Sequence, residues 1–150
     1  MLVSGAGNAL MSDQHSRRIE GFLLLAAEEL AAARQLAPLL PRQGAYFLQQ
    51  SVEKLARAVL EFENIAAGAT HNLRFLANLL GEHHPLKSAF IAFDDLTPAS
   101  TRYRYPSPSG SVAPVKAEHV VARLSDVEQL TANVLNHIDR QRSETVTKDD

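Results

Sequence analysis

The sequence predicts an all-α protein, an antiparallel up-and-down bundle of four to five helices. Apolar residues recur at the helical period in several separate segments that are rich in Ala, Leu and Glu. No stretch alternates apolar and polar residues as a strand does. The chain has 150 residues, of which 45% are hydrophobic and 21% charged, a composition typical of one globular domain. We therefore expect a single bundle over residues 12–142, with flexible ends at residues 1–11 and 143–150.

The first half of the chain predicts two long helices joined by a tight turn. The first covers residues 12–40 and ends between Pro38 and Pro41, because proline cannot donate to the preceding helical turn. The second covers residues 42–65. The apolar side of this second helix carries Leu48, Val52, Leu55, Ala58, Val59 and Phe62. The opposite side carries Tyr46, Gln50, Glu53 and Arg57.

The second half predicts two shorter helices, a loop and a long last helix. Thr70 is the predicted N-cap of the third helix, Gly81 can end that helix, and a short fourth helix covers residues 85–96. Residues 97–114 contain four prolines and several serines and predict an unusually long loop. The last helix covers residues 115–142. Its apolar stripe consists of Ala117, Val120, Leu124, Val127, Thr131, Val134 and Ile138.

Composition excludes some classes of function. The absence of cysteine excludes a disulfide framework, a thiolate metal site and a thiol nucleophile. The formal charge of −2 means that attraction to nucleic acid must come from a local patch. The strongest apolar run, residues 22–27, is interrupted by Glu28 and Glu29, and we expect neither a signal peptide nor a membrane span. A cytoplasmic location is the corresponding expectation.

Three fragments of the chain occur in the order and spacing of a known family. Residues 49–54 read QQSVEK and follow an aromatic pair, residues 70–73 read THNL, and residues 104–106 read RYP. On these fragments the chain resembles the HEPN family, although that family usually has Asp at the position of Asn72. The resemblance implies a compact helical bundle that is commonly a dimer and is often the companion of a small nucleotidyltransferase in a toxin–antitoxin-like system.

Other HEPN proteins are ribonuclease toxins, which use an Arg followed by a His after four to six intervening residues. No such pair occurs here: Arg74 precedes His83 by eight intervening residues, and Arg104 precedes His119 by fourteen. We therefore expect no catalytic residues and no cofactor. The prediction is a module that binds a nucleotide, RNA or a protein partner. The alternatives are a divergent ribonuclease that uses His71 or His119, and a bundle that serves only protein association.

The polar side of the second helix is the first candidate binding surface. Gln50, Glu53 and Lys54 lie within the fragment 49–54 that resembles the family, and Tyr46 and Arg57 lie on either side of it. Glu53 and Arg57 form an i,i+4 pair, as do Arg57 and Glu61, and such pairs stabilise a helix by only about 0.2–0.5 kcal/mol. The simpler interpretation is an exposed face with ion pairs along it. The alternative is that Tyr46, Gln50 and their neighbours line a dimer or nucleotide cleft.

The histidines offer few candidates for a catalytic or metal-binding role. His71 lies at the predicted start of the third helix, where the helix dipole favours a neutral ring, and a structural contact between helices is the favoured role. His83 and His84 are adjacent and cannot form an i,i+4 ligand pair, and no Glu-x-x-His motif occurs. We therefore expect no metal.

The second candidate surface is the segment Arg102, Tyr103, Arg104 and Tyr105, which precedes Pro106. A residue before proline favours extended geometry, and in an extended chain both arginines point to the same side. Two guanidinium groups suit a phosphate, and the tyrosines could stack on a base. The alternative, given equal weight, is that the tyrosines pack the loop against the bundle and the arginines cap helix C-termini.

Overall fold

A computed structural model describes the backbone of residues 2–148 and the side chains of residues 13–146. Its elements are α1 (Leu2–Leu36), α2 (Pro41–Phe62), α3 (Leu73–Asn78), α4 (Lys87–Ile91), a 3₁₀ helix (Asp94–Ser100) and α5 (Ala117–Lys148). Residues 2–148 contain no strand. The predicted all-α antiparallel bundle is therefore confirmed, with the three long helices α1, α2 and α5 as its framework.

The turn between α1 and α2 brings their backbones into direct contact. Pro41 occupies the first turn of α2, where its missing N–H costs nothing. A Cβ atom on Gly44 would lie 2.6 Å from Cα of Ala37, closer than any real side chain approaches. Gly44 is therefore required by this close antiparallel packing and not by its own backbone angles.

Helix α2 is central to the bundle and is buried on more sides than its amphipathic pattern predicts. It packs against α1, α3, α5 and the 3₁₀ helix. Its buried residues are Gly44, Ala45, Leu48, Gln49, Ser51, Val52, Glu53, Leu55, Ala56, Ala58, Val59 and Leu60. Ser51 is accommodated because its hydroxyl donates to the carbonyl oxygen of Ala26 at 2.7 Å. A buried polar side chain on this helix thus needs a hydrogen-bond partner, and loss of that partner would destabilise the protein.

Helix α5 contributes an apolar stripe to the core, as its periodicity predicts. Val120, Val127, Val134 and Ile138 are buried. Leu124 is only half-buried and packs against the edge of the core. Leu130, outside the predicted stripe, is almost fully buried, so the buried face of α5 is centred closer to Leu130 than the sequence pattern indicates.

The N-cap of α3 is Asn72 and not Thr70. The Asn72 side chain accepts a hydrogen bond from the Phe75 backbone N–H at 2.9 Å, as an N-cap does. Thr70 instead accepts from the Asn72 N–H at 3.1 Å, one step earlier in the chain. Asn can accept this capping bond as well as Asp does, so the departure from the family's usual Asp preserves the cap.

The predicted fourth helix and the predicted loop have different boundaries in the structure. Helix α4 ends at Ile91, and a 3₁₀ helix that contains Pro98 occupies part of the predicted loop. The following residues form turns, in which the Tyr103 N–H donates to the Pro98 carbonyl at 3.0 Å and the Arg104 N–H donates to the Thr101 carbonyl at 3.0 Å. The prediction of an extended Arg102–Tyr105 segment is therefore wrong, because these local hydrogen bonds wind the chain.

The two ends of the chain are helical where the structure describes them. Helix α1 begins at Leu2 and α5 continues past Arg142 to Lys148. Flexibility of residues 1–11 and 143–150 stays a prediction, and residues 1, 149 and 150 lie outside the described part. Among the described helices, none combines the length and apolar character that crossing a bilayer requires.

Candidate functional site

The polar side of α2 is not the exposed face that the simpler interpretation predicts. Glu53 is buried, and Tyr46, Gln50 and Arg57 are half-buried. The chain that connects α2 to α3 contacts this side of the helix, as the hydrogen bonds from Arg57 and Gln49 to its carbonyls establish. The polar side is therefore an interior surface for part of its length.

Glu53 is the centre of a hydrogen-bond network on this side. Its Oε1 atom lies 2.9 Å from Nδ1 of His71 and 3.4 Å from Nε2 of Gln49. Its Oε2 atom accepts from Nε of Arg57 at 3.2 Å, which confirms the predicted i,i+4 pair. A buried carboxylate is tolerated when charge and hydrogen bonds compensate its lost hydration, and both are present here.

Arg57 and Gln49 fix the connection between α2 and α3. The Arg57 guanidinium donates to the carbonyls of Gly68 at 2.9 Å and Thr70 at 2.6 Å. Gln49 Nε2 donates to the carbonyl of His71 at 3.0 Å. Because these donors are engaged, Arg57 and Gln49 have a positioning role: they hold His71 against Glu53.

Lys54 and Gln50 join α2 to α1 through a second, adjoining network. Lys54 Nζ donates to Glu29 Oε1 at 3.0 Å and to Gln50 Oε1 at 3.1 Å, and Gln50 Nε2 donates to Gln49 Oε1 at 2.7 Å. Burial raises the pKa of Glu29 above its ordinary value, and the hydrogen bond from Lys54 only partly offsets this effect. The positive charge of Lys54 is thus directed to a carboxylate inside the protein.

His71 is the one member of these networks whose side chain is mostly in solvent. Its side chain is 59% exposed, whereas its Glu53 partner is almost inaccessible. The bond from Nδ1 to Glu53 fixes the orientation of the ring and leaves Nε2 without a protein partner among the described residues. The predicted structural contact of His71 is present, in a form that also leaves one ring nitrogen available.

The Arg102–Tyr105 segment lies at the other end of the α2 polar side. Arg104 lies over the Tyr46 ring, with its guanidinium carbon 4.7 Å from the ring centroid, and 5.9 Å from the Tyr105 centroid. Tyr103 packs against the core, as the packing alternative predicts for it. Tyr105 is exposed, so the two tyrosines of this segment have different environments.

Neither arginine of the segment has an acidic partner within residues 13–146. Arg102 is exposed and makes no hydrogen bond or ion pair there. It lines a cavity of about 590 Å³ together with Tyr105, Ser107 and Ser111. The Arg104 side chain contacts only the rings of Tyr46 and Tyr105 among the described side chains. We call Tyr46, Arg102, Arg104 and Tyr105 the Arg–Tyr surface.

Arg42 holds this segment in place, and sequence reasoning did not identify it. It donates to the carbonyls of Tyr103 at 3.0 Å and Ala113 at 2.7 Å, so one side chain secures both ends of the loop to the start of α2. The sequence around Arg42 does not predict these hydrogen bonds, because the acceptors are backbone carbonyls more than 60 positions away in the chain.

A second group that the sequence did not reveal lies between α1 and the end of α2. His15, Arg18, Arg57 and Glu61 line a cavity of about 420 Å³. Partial burial by itself would raise the pKa of Glu61, but hydrogen bonds from Arg18 and His15 outweigh it and lower the pKa below its ordinary value. The predicted Arg57 to Glu61 pair is thus replaced by pairs between Glu61 and α1 at 2.8 and 3.0 Å.

The fold and the Arg–Tyr surface define a compact helical module whose accessible cations and aromatic rings are displayed beside a central helix. The HEPN domain model matches residues 20–136 of the chain. The chain belongs to the HEPN family. No curated protein and no solved structure matches it significantly.

Proposed function

We propose that this HEPN domain binds a phosphate-containing ligand, a nucleotide or RNA, at the Arg–Tyr surface. The observation that carries the proposal is the position of Arg104, stacked on Tyr46 with no acidic partner within residues 13–146. A guanidinium that lies over an aromatic ring keeps the N–H donors in its own plane free for a bidentate contact. Phosphate oxygens fit that arrangement of donors.

The contrast with the other cationic groups of the site supports this assignment. Lys54 is paired with Glu29, and Arg57 is paired with Glu53 and two backbone carbonyls. A ligand phosphate would have to displace these partners, whereas Arg102 and Arg104 have no acidic partner to displace in the part of the chain whose side chains are described. Tyr105 is 66% exposed and provides a ring on which a base can stack.

The proposed binding is tested by fluorescence anisotropy with a short labelled single-stranded RNA at low salt. Arg102→Ala with Arg104→Ala should raise the Kd by at least about tenfold, because each charge-assisted hydrogen bond to phosphate contributes about 1.5–3 kcal/mol. Its Tm should match that of the unmodified protein, since neither arginine holds the fold together through an ion pair or hydrogen bond.

The matched control is Arg17→Ala with Arg140→Ala, which removes the same charge from exposed positions elsewhere. It should change the Kd by less than about threefold, the range of a general electrostatic effect. Equal loss of affinity in both double variants, or no RNA binding by the unmodified protein, would refute the proposed site.

The His71–Glu53 pair favours a second candidate function, RNA cleavage. A buried carboxylate that orients an exposed imidazole is an arrangement that can serve a general base. The absent Arg–His pair of the ribonuclease branch argues for binding without cleavage. We therefore expect RNA incubated with the purified protein to remain as intact as in a mock purification. Cleavage that His71→Ala abolishes and His83→Ala does not would establish the ribonuclease alternative instead.

The partners that the family resemblance implies stay proposals. A homodimer and a small nucleotidyltransferase companion, in a toxin–antitoxin-like system, are typical of HEPN proteins. A cytoplasmic location is proposed with them.

A further inference from the structure

Three possible metal ligands meet at the end of the bundle opposite the start of α2. Glu63 follows the last residue of α2, His84 lies in the turn before α4, and His137 lies on α5. One ligand atom from each residue lies within 4.8 Å of the other two. His84 and His137 are separated from Glu63 by 21 and 74 positions in the chain, so no spacing motif could have identified the group.

The carboxylate is the meeting point of the two imidazole rings. Oε1 of Glu63 lies 2.9 Å from Nε2 of His84 and 3.5 Å from Nε2 of His137. The two ring centroids are 4.9 Å apart. The histidine side chains are only 10% and 11% exposed, and no Lys or Arg among residues 13–146 pairs with this carboxylate. The group is therefore partly desolvated before any ion binds.

In contrast to the expectation from the sequence that no metal is bound, we propose that Glu63, His84 and His137 form a binding site for Zn²⁺. Two imidazole nitrogens and one carboxylate oxygen are a donor set that zinc uses when a fourth position remains for water or another ligand. Tetrahedral coordination with bonds of about 2.0–2.2 Å places neighbouring ligand atoms about 3.4 Å apart. The two distances from Glu63 to the histidines lie on either side of that value, so small side-chain rotations suffice for those pairs.

Solvent reaches the group at His137 and at Glu63, whose side chain is 33% exposed. A cavity of about 360 Å³ adjoins His137 and is lined also by Leu86 and Asn136. The ring of Phe62 packs edge-on against His137 at a centroid distance of 6.3 Å and restricts its orientation. This combination of an oriented ligand and an open side is suited to an ion that retains a water ligand.

His84 supplies a specific marker for metal binding. Its Nδ1 atom now accepts a hydrogen bond from the Leu86 N–H at 3.1 Å, which places the ring proton of the neutral form on Nε2. Zinc at Nε2 would require that proton to be on Nδ1, and the Leu86 N–H would then lose its acceptor. Metal binding at this site must therefore change the environment of the Leu86 amide.

The test is isothermal titration calorimetry. The untagged full chain is treated with EDTA, transferred to a buffer that does not chelate zinc, and titrated with ZnCl₂. We expect one Zn²⁺ per chain. His84→Ala and His137→Ala should each weaken binding by at least about tenfold, because loss of an outer partner of a ligand alone costs that much. Glu63→Gln retains the size of the side chain and should also weaken binding, which separates loss of a ligand from loss of folding.

His83→Ala is the matched control, since His83 is adjacent to His84, is exposed and has no partner among the described residues. It should bind Zn²⁺ as the unmodified protein does. In ¹⁵N–¹H spectra, Zn²⁺ should shift the Leu86 amide and Mg²⁺ should not. Binding that is equally weakened by His83→Ala, a Leu86 amide that does not respond to bound Zn²⁺, or no Zn²⁺ binding at all would overturn the proposal.

Discussion

Val134→Asp is expected to lower the free energy of unfolding more than any other substitution considered for this protein. Val134 lies on α5 and is completely buried. The substitution places a carboxylate in the apolar core with no cation to compensate its lost hydration, and it also removes the packing of the valine. Together these effects should cost at least about 4 kcal/mol, a large part of the total stability of a domain of this size.

Leu135→Asp is the control for this prediction. Leu135 is the next residue on the same helix and is 41% exposed, so an aspartate there remains hydrated. It should change the free energy of unfolding by less than about 1 kcal/mol, which urea denaturation followed by circular dichroism can measure. Similar stabilities of the two variants would show that the assigned buried face of α5 is wrong.

Glu53→Ala is the second substitution with a large expected effect. The Glu53 side chain is 4% exposed and binds both Arg57 and His71. Its removal leaves the Arg57 guanidinium, which is itself largely buried, without the one acidic partner that it has among residues 13–146. Loss of one member of a buried pair typically costs about 3–5 kcal/mol. The measurement is again the free energy of unfolding in urea.

Glu128→Ala provides the comparison for Glu53. Glu128 also pairs with an arginine, Arg34 at 2.5 Å, but its side chain is 48% exposed. An exposed pair contributes about 0–1 kcal/mol, so this variant should remain close to the parent in stability. If both glutamate variants lost the same stability, burial would not be the property that makes the Glu53 network important.

Much of the fold could be predicted from the sequence because it depends on periodic patterns. The apolar positions of α5 and the prolines around the first turn were sufficient for those elements. The role of Glu53 could not be predicted in this way. A helix that is buried on several sides carries some polar residues inward, whereas periodicity alone places them on the outward face. Burial of this kind depends on the connection that covers the helix, residues 66–72, which has no periodic signal of its own.

Part of the candidate site could likewise be predicted from the sequence, and part of it could not. The pairing of Arg57 with Glu53 is local and could be predicted from i,i+4 spacing. The stacking of Arg104 on Tyr46 joins distant parts of the chain, and only the folded backbone brings them together. The turn geometry at Arg102 was missed because hydrogen bonds to the preceding 3₁₀ helix outweigh the extended preference before Pro106.

The salt dependence of RNA binding tests the Arg–Tyr surface most directly. Each phosphate contact on a single strand contributes about 0.7 to the slope of log Kd against log salt concentration, through release of counterions. If Arg102 and Arg104 each contact a phosphate, their double alanine variant should have a slope that is lower by about 1.4 than the parent. The Arg17→Ala, Arg140→Ala variant should keep the parental slope. A double Arg102, Arg104 variant with an unchanged slope would contradict phosphate binding at this surface.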